Sequence, residues 1–240
     1  MKAERLDHYL GLDHKENIYS AAEKLKGVLK ATPLTFSDFF SNEYGCKVYI
    51  KPENLQVTGS YKIRGAYNKI SGLPDSGRGV IASSAGNHAQ GVAYSAQIVK
   101  VPATIVMPST TPLLKVSATK SYGADVILYG DVYDDAYNKA MSLAEERGLE
   151  FVHPFDDYEI ICGQGTVGLE IIEELADVDE IIVPIGGGGL IAGTALIAKA
   201  LKPSIKVIGA VPVGAMSMKI SLEEGRVTRL ASVKTSAEGV

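Results

Sequence analysis

The chain has 240 residues, 46% hydrophobic and 22% charged, enough for one large globular domain or two small ones with a real core. The formal net charge of −4 and the lack of any long Lys or Arg run give no reason to expect a nucleic-acid partner. Two cysteines (Cys46, Cys162) and four histidines (His8, His14, His88, His153) make neither a disulfide framework nor a metal-ligand motif, and the charged, polar N-terminus excludes a secretory signal and points to the cytoplasm.

In chain order, residues 1–29 read as an amphipathic helical lead-in. Strands are then expected over 47–51, 79–82, 103–107, 125–129, 151–153, 180–185 and 206–211. Helices are expected between them, over 61–70, 89–98, 113–122, 132–147, 166–175 and 190–200. Gly123 and Gly148 stand where helix C-caps would sit. Several strand runs are continuously apolar, which suits parallel strands buried on both faces. The pattern is α/β with open parallel sheets and flanking helices. Residues 181–201 are apolar enough to raise a membrane span. Pro184 and four consecutive glycines break the run into strand, loop and helix, so no membrane partner is expected. Residues 229–240 carry no clear element, and the chain reads as one that stops in mid-domain.

The motifs with chemical content sit at strand-to-helix junctions. Gly186, Gly187, Gly188 and Gly189 follow a strand and open a helix at Leu190. Glycines let backbone N–H groups converge, and a helix N-terminus adds partial positive charge, so this is a place for a phosphate. A tight turn alone would need one or two glycines. Gly187, Gly189 and Ala192 also fit a loose dinucleotide pattern, but the acid expected about twenty residues on is absent; Val211 and Pro212 stand there. Lys62, in Gly59-Ser60-Tyr61-Lys62, sits at an expected helix start. Partial positive charge there favours a neutral amine, which Schiff-base chemistry needs. Read alone, a solvated surface lysine is the better reading. Ser83-Ser84-Ala85-Gly86-Asn87-His88 gathers hydroxyls, an amide and loop N–H groups at another helix start. That suits a carboxylate, although an N-cap box is the plainer alternative.

The tract 51–66, with Gly59-Ser60-Tyr61-Lys62-Ile63-Arg64-Gly65-Ala66 at its end, resembles the lysine segment of the threonine dehydratases (threonine ammonia-lyases). These are pyridoxal 5'-phosphate (PLP) enzymes of the two-domain tryptophan-synthase β-like fold. Ser83 to Gly91 resembles their substrate-carboxylate loop. His153-Pro154-Phe155-Asp156-Asp157 and Gly163-Gln164-Gly165-Thr166 resemble further stretches, and Gly186 to Leu190 their tetraglycine loop.

The resemblance implies roles. Lys62 bonds the PLP aldehyde and then acts as general base. Asn87 meets the ring 3′ oxygen. Gly186, Gly187, Gly188 and Gly189, with the Leu190 amide, hold the phosphate. Ser84, Ala85, Asn87 and His88 line the substrate-carboxylate site. Tyr61, where the family often has Phe, packs near the ring or serves as a core aromatic. The implied reaction is α,β-elimination of L-threonine, and of L-serine, to a 2-oxo acid and ammonia. It belongs to amino-acid metabolism, with biosynthetic and catabolic roles both open.

The implied architecture is a smaller domain over 55–155 carrying Lys62 and the carboxylate loop, and a larger one from 1–54 and 156–240 carrying the glycines. The larger domain is expected to be truncated, with the ring-nitrogen Ser or Thr beyond Val240. A homo-oligomer, dimer or tetramer, is implied as well.

Related serine racemases have a serine acid/base where this chain has Ala85, so elimination is expected over racemisation. Some relatives bind a divalent cation through an acid where this chain has Val211, so no such metal is expected. The alternatives are another enzyme of the same fold (cysteine synthase, threonine synthase or diaminopropionate lyase) or a truncated, non-catalytic PLP-binding protein. Four glycines followed by Leu190 fit the dehydratases better than the Gly/Thr-rich loops of cysteine synthases.

Overall fold

A computed structural model describes residues 11–74 and 78–237. Residues 1–10 of the expected lead-in and 238–240 of the element-free tail lie outside the described residues. The lead-in becomes α1 (His14–Leu25), capped by Asp13, whose side chain accepts from Glu16 N. A short antiparallel pair follows, β1 (Thr35–Phe36) with β2 (Tyr49–Ile50), enclosing α2 (Asp38–Tyr44). The expected strand over 47–51 thus shortens to β2. No signal in the sequence marked α2, which buries none of its side chains.

Next come α3 (Lys62–Ser71), β3 (Val80–Ser83), α4 (Asn87–Val99), β4 (Ala103–Met107), α5 (Leu113–Ser121), β5 (Asp125–Leu128), α6 (Tyr133–Arg147) and β6 (Glu150–Phe151). The strands pair in parallel in the order β5-β4-β3-β6. Alternation along the strands feeds two layers. Val80, Ala82, Ile105 and Met107 pack with side chains of α3, α4 and α5, while Ile81 and Val106 pack with Ala136, Ala140, Leu143 and Ala144 of α6. Both faces of β3 and β4 are covered, as their continuous apolar runs required.

The remainder is α7 (Tyr158–Glu174), β7 (Glu180–Pro184), α8 (Gly189–Leu201), β8 (Lys206–Ala210) and α9 (Ser217–Glu224). β7 and β8 pair in parallel around the α8 crossover. Here the expectation of strands buried on both faces fails. Ile181 and Val183 are buried, but Ile182 is 68% exposed and Ile208 41%. Helix packing covers one face of this pair among the described residues.

α7 begins two turns earlier than the sequence indicated. Asp157 caps it, accepting from Glu159 N and Ile160 N. Gly163 and Gly165, poor helix formers ahead of the expected helix, lie inside α7, and they and Gly168 sit at close helix crossings. Cys46 is exposed and Cys162 buried, and both are free thiols.

Candidate functional site

The parallel strands of both sheets point their carboxyl ends at one crevice, where ligands of open α/β folds bind. A cavity of about 570 Å³ lies there, a size that suits a small cofactor. The last residue of β3, the loop after it and the start of α4 supply Ser83, Ser84, Ala85, Gly86, Asn87 and His88. The segment after β6 supplies Pro154 and Phe155, α5 supplies Lys115, and α6 opens with Tyr133. Gly186 and Gly187 follow β7, and Tyr61 and Lys62 come from the start of α3. Gly188, Gly189 and Leu190, at the cap and first turn of α8, are not in that lining; Leu190, like Tyr61, lines a second, larger cavity. This larger cavity of about 960 Å³ lies between β2, α7 and β7. Its lining is largely apolar and holds neither Lys62 nor the glycines, so the chemistry belongs to the smaller one.

Lys62 is the first residue of α3. Gly59, at φ 71°, turns the chain ahead of the helix, and Ser60 Oγ accepts from Lys62 N at 3.2 Å. α4 approaches because Gly91 has no side chain: a Cβ there would stand 3.1 Å from the carbonyl carbon of Lys62. The Lys62 amine donates to Pro154 O at 2.8 Å and lies 5.5 Å from the Tyr61 ring centre. Burial lowers its pKa from 10.5 to about 8. Loss of solvent alone accounts for a downward shift, in the same direction as the helix-end charge expected from the sequence. Burial also raises the pKa of the Tyr61 phenol.

The plainer reading of the Ser83–His88 segment, an N-cap box, does not hold. Gly86 is the N-cap, and no side chain caps α4. Ser84 Oγ instead accepts from Gly86 N at 3.2 Å. The first N–H groups of α4 have no intrahelical partner and stay available to a ligand. His88 is buried and its ring Nε2 meets Val152 O at 2.9 Å. A carbonyl only accepts, so Nε2 carries the hydrogen and Nδ1 is left as a lone-pair acceptor. Burial, helped by the Lys62 charge, lowers the His88 pKa to about 3. Ser83 Oγ and His88 Nδ1 are buried and have no hydrogen-bond partner.

The glycine loop has a shape that side chains would destroy. A Cβ on Gly187 would lie 2.2 Å from the Phe155 ring, and Gly188 has φ 94°. Gly188 caps α8 without any side-chain bond, so the first N–H groups of that helix are open as well. A buried, easily neutralised amine and an uncapped, glycine-lined helix start share one crevice. These are the partners an aldehyde and a phosphate need, so the residues fit PLP.

The sequence matches the family described as pyridoxal-phosphate dependent enzyme over residues 25–240. The chain belongs to that family, and its cofactor is PLP. It is 50% identical over 227 residues to the L-threonine ammonia-lyase of Thermotoga maritima, covering 94% of this chain and 57% of that protein. Its fold is similar to the processed threonine deaminase isoform 2 of Solanum lycopersicum, with TM-score 0.89 and 42% identity over 100% of this chain and 65% of that one. It is also similar to maize serine racemase, with TM-score 0.91 and 38% identity over 94% of this chain and 69% of that one. The chain spans little more than half the length of curated relatives such as the Thermotoga protein.

Sequence reasoning gave no role to Lys115, Tyr133, Gln90 or Phe155, all of which line the cavity. Phe155 lay in a stretch that carried the resemblance. For Lys115 and Tyr133 the usable signal was topological: each begins or follows the start of a helix that comes after a parallel strand. No group of three or more His, Cys, Asp or Glu side chains able to hold a metal occurs among the described residues, and no described helix is long and apolar enough to cross a membrane.

Proposed function

We propose that the site serves PLP-dependent α,β-elimination of L-threonine, and of L-serine, to a 2-oxo acid and ammonia. The observation that carries this is the meeting of the buried Lys62 amine, the glycine loop and the uncapped α4 start in one cavity. The identity to threonine ammonia-lyases supports the substrate class.

In this reading Lys62 bonds the PLP aldehyde, and Gly186 to Gly189 with the Leu190 N–H hold the phosphate. Asn87 meets the 3′ oxygen, and Tyr61 flanks the ring. When bound, PLP supplies the electron sink that stabilises charge at the substrate Cα. Once the substrate's amine has displaced it from the aldehyde, the free Lys62 amine, whose pKa near 8 leaves a usable neutral fraction, would take the Cα proton. Ser84 and the open N–H groups of Asn87 and His88 orient the carboxylate. The His88 ring is held by Val152 O, so His88 makes its contact through the backbone. Ala85 lines the cavity and has no proton to give, which supports elimination over racemisation.

The larger part, 1–54 and 156–240, and the smaller part, 55–155, meet at this crevice as two domains. Two hydrophobic clusters, one on each parallel sheet, support that division, with Ile160 joining the first across the boundary and Tyr61 the second. A homo-oligomer in the cytoplasm completes the proposal. The exposed Phe39 and Tyr44 on α2 support an assembly that covers them. Incubation of the PLP-loaded chain with L-threonine, with detection of 2-oxo acid and ammonia, tests the reaction. Release of neither product would remove it.

A further inference from the structure

The stretch Gly163-Gln164-Gly165-Thr166 carries the family resemblance but contributes no atom to the cavity lining. It forms the middle of α7, and each residue meets a neighbouring helix. A Cβ on Gly163 would lie 2.6 Å from Arg64 O and from Gly65 Cα on α3. Gln164 Oε1 accepts from Gly65 N at 3.3 Å. On the other side, a Cβ on Gly165 would lie 3.0 Å from Gly193 O, and one on Gly193 would lie 2.3 Å from Ile161 O. Thr166 Oγ1 donates to Gly163 O at 2.7 Å and accepts from Arg64 Nη1 at 3.1 Å. α7 therefore packs backbone to backbone against α3, which starts with Lys62, and against α8, which starts at the glycine loop.

Arg64 locks the first of these crossings. Two residues along a helix turn the side chain by about 200°, so Arg64 faces α7 while Lys62 faces the cavity. The guanidinium is 1% exposed. It uses all five N–H groups: Nε and Nη2 fork onto Glu53, each at 2.7 Å, Nη1 and Nη2 fork onto Glu170, and Nη1 also reaches Thr166. Glu170 is held in turn by Lys51 at 2.8 Å, and Lys51 by Thr32 O at 2.6 Å. A lysine in place of Arg64 would keep the charge and lose the two forks.

We infer that Arg64 is a positioning residue for Lys62: with Glu53, Glu170 and Thr166 it fixes α3 on α7, and so fixes the distance from the Lys62 amine to the Gly186–Gly189 cradle. The inference rests on the reading that PLP spans that distance. A ligand held at both ends depends on the separation of its two anchors, whereas a ligand held at one end does not.

The test compares PLP with inorganic phosphate on Arg64→Lys, and on Glu170→Gln in case Arg64→Lys fails to fold. PLP affinity is read from the visible absorbance of the lysine-bound cofactor, and phosphate affinity by calorimetric titration. The expected result is a tenfold or greater loss of PLP affinity in Arg64→Lys, a smaller loss in Glu170→Gln, and phosphate affinity within twofold of the unmodified chain in both. Equal losses of PLP and phosphate would mean general damage to the fold and would overturn the inference, as would no loss of either. If the unmodified chain gave no visible band, the proposed function would fail first, and the inference with it.

Discussion

Replacing Lys62 with Met keeps an unbranched stem of similar length and removes the amine. In the folded chain that amine titrates near 8 instead of 10.5. At neutral pH it is charged both folded and unfolded, so carrying it into the cavity destabilises the fold by about 3 kcal/mol. The folded value is the lower one, so between the two values the unfolded chain holds more protons. Stability therefore rises with pH across that window: the penalty is complete below about 8 and gone above about 10.5. Two effects reduce the gain in the variant. The bond to Pro154 O is lost, which offsets about 1 kcal/mol, and water at the mouth of the cavity screens part of the charge. Lys62→Met without cofactor should therefore be about 1–2 kcal/mol more stable than the unmodified chain near neutral pH. Its advantage should shrink by roughly 2 kcal/mol near pH 9.5. Urea unfolding of both proteins at both pH values measures this, and the other titrating groups cancel in the double difference. An advantage that stays the same at the two pH values would refute the burial of a titrating Lys62 amine.

Other consequences follow from the same geometry. Gly187→Ala pushes a methyl into the Phe155 ring. It should lower stability by about 1–3 kcal/mol and weaken phosphate binding at least tenfold by calorimetry, with unchanged phosphate affinity counting against the cradle. Ala85→Ser adds a hydroxyl to the cavity wall, and chiral chromatography of serine incubations should then show D-serine that the unmodified protein does not form. Lys100 ends α4 at φ 64°, the one non-glycine residue with positive φ among those described, so Lys100→Gly should raise stability by roughly 0.5–1 kcal/mol in urea melts. A lower midpoint would show that its side chain matters more than its backbone.

What the sequence disclosed depended on how local each cause was. β4 coincides with its expected span because Ala103–Met107 is a continuous apolar run covered on both faces. β7 misled, because its apolar run looks the same whether one face is covered or two. The start of α7 was hidden for a different reason. Glycine disfavours a helix by propensity, and the compensating contacts of Gly163 and Gly165 come from α3 and α8, far away in sequence. At the site, Lys62, the Ser84–His88 loop and the glycines announced themselves by composition at helix starts. The cause of the Lys62 shift did not, because burial is a property of the assembled cavity. His88 shows the same limit: its residue type was read, but the direction of its ring depends on Val152 O. Arg64 looked like one more charge in a motif, and only the fold shows its five donors consumed by Glu53, Glu170 and Thr166.

The most direct test of the site mixes the purified chain with PLP and records the visible absorbance that arises when a lysine bonds the aldehyde. A band is expected in the unmodified chain and none in Lys62→Ala, with inorganic phosphate competing for the cradle in both. A band of undiminished intensity in Lys62→Ala would contradict the assignment of Lys62, and with it the crevice as the PLP site.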